Sequence, residues 1–245
     1  MSASDLLSDA AAVLRVLAAP GRGLPGIAAR PRAALALAIA TAVSLATAAV
    51  VVPRVDYGPG SPSVDAPAEG QASQEPTEYQ REEAARTARK LGQIAGWASA
   101  ALLPSALAVA AAGLLVVGFR VAGARPSYRP ALAVAAHGML PVWLRGLLRV
   151  PAAVAHAPVP REEVPNLLPS SLAALLPSQA PPAWLAFLSG LDLFALWAAV
   201  LVALGMARVS GTSRARSAVT TAVLFLAYVA LVRVVPVGRG AGGAL

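Results

Sequence analysis

AALALAIATAVSLATAAVVV, residues 33–52, runs for twenty residues without a charge. A helix rises ~1.5 Å per residue, so ~20 predominantly apolar residues cross a hydrocarbon core of ~30 Å. The stretch is therefore read as a membrane span, and the rest of the chain is read outward from it. Four more runs meet or approach the same criterion: 94–119, 130–154, 183–206 and 217–237. The expected fold is all-α, an integral membrane bundle of five transmembrane helices spread over residues 33–237. The first run is expected to stay in the protein and not act as a cleavable signal. A tail of 32 residues precedes it, and its apolar core exceeds the ~7–15 residues of a signal core.

Composition points the same way. Of the 245 residues, 57% are hydrophobic and 13% charged, where a soluble domain carries ~25% charged residues. Mean hydropathy is +0.65. A net charge of +8 with a pI near 11.1 would suit nucleic acid only with the basic residues clustered on a soluble scaffold. Here they lie between apolar runs, so nucleic acid is excluded as a partner. The absence of Cys removes disulfides, thiol catalysis and cysteine-ligated metals. Lys90 is the lone lysine among twenty basic residues, an arginine bias that reads as a GC-rich, bacterial genome.

The positions of the charges predict a topology. Arg15, Arg22, Arg30 and Arg32 precede the first span, Arg120, Arg125 and Arg129 follow the second, and Arg208, Arg214 and Arg216 follow the fourth. These alternate flanks hold ten basic residues against Asp5 and Asp9, and so contribute the whole net +8. The other flanks are acidic on balance: residues 53–93 are net −2, and Arg161, Glu162 and Glu163 net −1. Basic loops remain in the cytoplasm. The expectation is a cytoplasmic (inner) membrane protein with its amino terminus inside and its carboxyl terminus outside.

Several shorter segments have their own signals. In the tail, residues 1–32, Leu6, Leu7, Ala10, Val13, Leu14 and Leu17 share one helical face. That predicts an amphipathic helix in the membrane interface, either packed under the bundle or binding a partner. Pro20, Gly21, Gly23, Pro25 and Gly26 are expected to break it. Residues 53–76, rich in Pro, Gly, Ser and acids, read as an extended or disordered outer loop. Thr77 and Gln80 have capping-box spacing, and Glu82 and Arg86 pair at i, i+4. A helix is therefore expected to start in solvent and continue into the second span, with Pro104 as the kink position. The prolines from Pro158 to Pro182 forbid continuous helix there, although Ser171 to Leu176 suits one or two apolar turns. Residues 238–245 read as a flexible terminus.

Ionisable groups at membrane depth are costly, so each is a candidate site. Asp192 falls about nine residues into the fourth span, roughly 13 Å deep. Arg145 and Arg149 share a face of the third span and approach that depth from the same side. An Asp192–Arg145 pair locking the two spans together is the expectation. The alternatives are arginines snorkelling to the outer interface or an ion relay. His137, one turn before Pro141, is expected as a neutral side chain donating to a neighbouring helix. No cofactor or metal is expected, since His156 is the only other histidine. Enzyme signatures are missing as well: no H-E-x-x-H, no G-x-S-x-G, and one intramembrane carboxylate where an aspartyl protease needs two.

The stretch LDLFALWAAVLVALGM (191–206) followed by ARVSGTSRARSAVTTAV (207–223) resembles the signature region of the Yip domain family. That region has a Leu-Asp-x-Phe-x-x-Trp opening, a glycine near the end of the span, a small-residue loop and a last span. The matching positions are Leu191, Asp192, Phe194, Trp197 and Gly205. SYRPALAVAAHGMLPVWL (127–144) resembles the family's third span and VPNLLPSSLAALLP (164–177) its outer loop. LRVLAAPGRGLPGIAARPRAAL (14–35) resembles the short helix that precedes the first span in bacterial members. The resemblance implies five spans and a cytoplasmic amino terminus; it does not imply catalysis. Rab-type GTPases, partners of eukaryotic members, are implied by analogy alone for so short a tail. The long acidic first outer loop departs from the family pattern.

The function expected is that of a non-enzymatic scaffold or adaptor in membrane organisation or trafficking-like processes. Its partners would be the lipid bilayer and other membrane proteins or a second copy. Gly96, Ala100, Ala112, Gly113, Ala131 and Ala135 offer small-residue contacts for such association. The alternative is a small transporter or permease subunit with a polar path along Asp192, Arg145 and His137.

Overall fold

Thr77 opens the longest element. Its hydroxyl accepts from the Gln80 backbone at 3.3 Å, and the Gln80 side chain accepts from the Thr77 backbone at 2.9 Å. From this capping box one helix runs uninterrupted from Glu78 to Val121, 44 residues including Pro104, or about 66 Å. A bilayer core accounts for less than half of that length, so the charged first turns lie beyond it. The computed structural model describes residues 11, 13–29, 31–57, 77–177 and 179–235. The expectations for Leu6, Leu7, Ala10, most of the acidic loop and residues 238–245 fall outside them.

Besides the helical residues 13–18, the described residues form eight α-helices: α1 (Pro20–Ala29), α2 (Ala34–Val51), α3 (Glu78–Val121), α4 (Tyr128–Gly138), α5 (Leu140–Ala155), α6 (Pro182–Ser189), α7 (Leu193–Ser210) and α8 (Arg214–Val229). Among the described residues five segments are long and apolar enough to cross a membrane: Ala34–Arg54, Glu78–Val121, Tyr128–Ala155, Leu193–Ser210 and Arg214–Val234. The fold is an all-α membrane bundle. Its outer faces are as apolar as its core, with Leu102, Leu103, Val109 and Val117 of α3 and Val219, Val223 and Leu226 of α8 exposed. Water would not tolerate so continuous an apolar surface; lipid does.

The core depends on small residues. Phe119, Ala131, Val134, Ala135, Val202 and Met206 pack together where α3, α4 and α7 meet. Val134 of α4 fills the space beside Gly205 of α7, where an added Cβ would lie 2.6 Å from its Cγ1, and Val202 of α7 fills the space beside Gly138. The two contacts run in opposite order along the chain, so α4 and α7 are antiparallel. Leu224 of α8 seats on Gly118 of α3 in the same way. The chain uses most of its expected association residues on itself: Ala112, Ala131 and Ala135 lie in this core, Ala100 packs with Ala48 and Val52, and Gly96 receives Val52. Gly113 alone of the six faces open space.

Four expectations need correction. The tail does not simply break at Pro20. Residues 13–18 are helical, Ala19 interrupts them, and Pro20–Ala29 forms α1. A proline is tolerated in the first turn of a helix because its missing N–H has no partner there anyway. Gly23 lets the two segments cross, since a Cβ would lie 2.6 Å from the Val16 backbone nitrogen. Val16, Leu24 and Ile27 are buried against Ala133 and Leu201, so this part of the tail is packed under the bundle. Leu14, expected on the apolar face, is 67% exposed.

The third span is two helices. Pro141 cannot donate to the carbonyl of His137, so α4 ends at Gly138 and α5 restarts at Leu140 with Pro141 in its first turn. The fourth span begins ten residues later than expected. Residues 182–189 form the separate helix α6, and α7 starts only after Asp192. The first outer loop is not wholly irregular. Val55–Asp56 pairs in parallel with Val159–Pro160, and Val51, Val55, Ala153 and Val159 bury one another. Beside this pairing Tyr57 lies across Gly92, where its ring leaves no room for a Cβ. Its phenol is raised above the ordinary value of 10.0 by burial, against a smaller opposing effect of Arg161.

Candidate functional site

Asp192 is the residue on which the polar cluster turns. It has extended backbone angles and caps α7: Oδ1 accepts from the backbone N–H of Phe194 at 2.9 Å and of Ala195 at 3.0 Å. Asp is favoured at this position because its carboxylate satisfies N–H groups that have no intrahelical partner and faces the positive end of the helix dipole. The other oxygen, Oδ2, accepts from Arg145 Nη1 at 2.9 Å. The carboxylate is 92% buried by its side-chain exposure of 8%, and Arg145 is 13% exposed.

The expected depth of Asp192 is therefore corrected. It lies at the mouth of its span and not part-way along it, because the chain breaks at Gly190 and Leu191. Gly190 packs so closely on Val229 of α8 that a Cβ would meet Val229 Cγ1 at 2.6 Å. The outer loop folds across this break. Leu172 donates its N–H to the Leu191 carbonyl at 3.1 Å, and Leu193 donates to the Ser170 carbonyl at 3.0 Å, forming a short antiparallel bridge between Ser171 and Asp192. The expected apolar turn beside it is a 3-10 helix, Leu172–Leu175.

Arg145 and Arg149 reach the same place from α5. Arg145 Nη2 and Arg149 Nη2 both donate to the Pro165 carbonyl, at 3.4 and 3.3 Å. Gly146, on the adjoining face of α5, meets Thr47 of α2, while the two arginines turn toward α7 and the outer loop. One carboxylate, two guanidinium groups and one loop carbonyl thus join α5, α7 and residues 161–166. His137 is not part of this assembly. It is buried in α4, and its Nδ1 donates to the Ala133 carbonyl of its own helix at 2.8 Å. No group of three or more His, Cys, Asp or Glu side chains that could hold a metal occurs among the described residues.

The family-like positions have separate duties. Asp192 caps, Leu191 receives the outer loop, Trp197 packs beside Leu201 and Val16, and Gly205 admits Val134. Phe194 is partly buried, and its backbone N–H is one of the two that Asp192 holds. The small-residue loop after α7 is built for a tight reversal. Gly211 takes a left-handed φ of +69°, Ser213 caps α8 through the Arg216 N–H, and Ser217 reaches back to the Ala203 carbonyl at 2.6 Å. Sequence reasoning passes over Arg233 and the Pro165 carbonyl. Arg233 had a usable signal, a charge inside the apolar run 217–237. The carbonyl had none, since any residue supplies one.

A family model described as the Yip1 domain matches residues 14–234. No curated protein and no solved structure matches the chain.

Proposed function

Because the chain belongs to the Yip1 domain family, we propose that this multi-pass membrane protein is a non-enzymatic scaffold or adaptor in membrane organisation. The observation that carries the reading is the state of Asp192. Both of its oxygens are engaged, one by two backbone amides and one by Arg145. A proton or ion relay needs a carboxylate that can exchange partners; this one is occupied as a joint between helices. The packed contacts of Val134 on Gly205 and Val202 on Gly138 support the same reading, because they leave no room for a path between α4 and α7.

The proposed placement is the cytoplasmic membrane with the amino terminus inside. Its support is the positive-inside rule acting on a clustered charge. Phe119, Ala124 and Met206 share one core cluster, so the flanks with Arg120 and Arg125 and with Arg208, Arg214 and Arg216 come together at one end of the bundle. Partners would be other membrane proteins or a second copy. Cross-linkers placed at Arg22 and at Arg214 in membranes test this. The proposal expects one or a few defined membrane proteins, or a homodimer, to be captured. Ion or solute flux in reconstituted vesicles that Asp192→Asn abolishes would instead identify a transporter.

A further inference from the structure

We infer that Arg145, Arg149 and Arg233 form a binding site for the phosphate of an anionic phospholipid headgroup, a role independent of the scaffold reading. The first ground is charge. Arg145 and Arg149 converge on one neutral acceptor, the Pro165 carbonyl. Arg233, in the last turn of the final span, stands on residues 230–234, which pack against α6 as the outer-loop turn 172–175 does. Asp192 is the carboxylate that pairs with these arginines among the described ion pairs, and it is already committed to Arg145 and to the α7 cap. Like charges brought together away from bulk water repel strongly unless an anion joins them.

The second ground is hydrogen bonding. Arg145 Nε and Arg149 Nε are both shielded from solvent and have no acceptor. A buried N–H in that condition costs free energy comparable to a lost hydrogen bond. A guanidinium group offers its donors as a rigid fork that matches phosphate oxygens.

The third ground selects a lipid as the source. Helix α6 packs against both residues 172–175 and residues 230–234. It presents Trp184, 59% exposed, near Leu175, 82% exposed. A tryptophan and an apolar side chain at the end of a bundle mark the headgroup level of a bilayer, where phospholipid phosphates already reside. Long arginine side chains reach that level from within the span.

The test is native mass spectrometry of the full chain released from vesicles of equal phosphatidylglycerol and phosphatidylcholine. The wild type is expected to retain phosphatidylglycerol about tenfold over phosphatidylcholine. Arg233→Gln alters an exposed residue outside the buried pair, so it should fold normally and reduce the preference several-fold. Arg149→Gln with Arg233→Gln should abolish it. Equal preference in the wild type and both variants would overturn the site. Displacement of the lipid by inorganic phosphate at matched concentration would assign the site to a free anion and overturn the lipid assignment.

Discussion

Arg145 Nη1 stands 2.9 Å from Asp192 Oδ2, and the same carboxylate caps the helix that follows it. A single side chain therefore ends one break in the chain and fastens it to α5. The two duties separate chemically, because asparagine also caps helices while carrying no charge. Asp192→Ala is expected to cost about 3 kcal/mol, since it leaves Arg145 without its carboxylate and α7 without its cap. Asp192→Asn should cost about 1 kcal/mol less, the usual worth of a cap. Thermal unfolding in detergent with a mild denaturant measures both, and equal losses would show that the cap contributes nothing.

The contact of Val134 with Gly205 predicts a rescue. Gly205→Ala forces a Cβ to within 2.6 Å of Val134 Cγ1, and overpacking of this kind costs about 1–3 kcal/mol. Val134 is β-branched and has little rotamer freedom to yield. Val134→Ala in the same chain should recover most of the loss. The readout is again the unfolding midpoint of the single and double variants.

Gly23 makes a similar prediction with no rescue available. Its added Cβ would meet backbone, the Val16 nitrogen at 2.6 Å and the Arg15 carbonyl carbon at 2.8 Å. Backbone cannot rotate aside, so Gly23→Ala should undock the tail. Trypsin cleavage after Arg15 and Arg22 is expected to accelerate about tenfold, following the larger population of the open tail. An unchanged cleavage rate would mean that the tail docks through other contacts.

Tyr57 predicts a pH dependence. Burial raises its phenol above 10.0, so the folded state holds the proton more tightly than the unfolded state. The stabilisation is complete below pH 10 and is lost as pH rises through the folded value. Tyr57→Phe removes that loss. Between pH 9 and pH 11.5, the variant should therefore lose less stability than the wild type, and phenolate absorbance should show one late-titrating tyrosine fewer.

The five spans were legible because lipid imposes a simple rule: an apolar segment that crosses hydrocarbon outside a closed barrel must be helical, and ~20 apolar residues are enough. The Thr77–Gln80 box was legible because its partners are three residues apart. The internal breaks were harder to read. Asp192 followed by an apolar run has the form of a helix cap, but it also has the form of a charge within a longer span, and hydropathy favours the longer span. Only the close approach of Gly190 to Val229, a contact between residues distant in sequence, ends the helix where it does. The same holds for α1, where Gly and Pro have the form of a breaker until Gly23 meets Val16.

By itself, the amino-acid sequence determined the number of spans, the basic end of the bundle, the capping box and the family. All of these follow from local composition or from spacing within a few turns. The tertiary structure decided where the third and fourth spans break, which glycines receive which side chains, and how the charges combine. Arg145 and Arg149 share one helical turn, but Asp192 and the Pro165 carbonyl stand far from them along the chain, and their meeting depends on helix packing that no short window contains. The sequence shows Asp192, Arg145 and Arg149 as costly charges near the membrane. Only the fold shows that the single negative one is fully engaged, so that the positive charges beside it are left in excess.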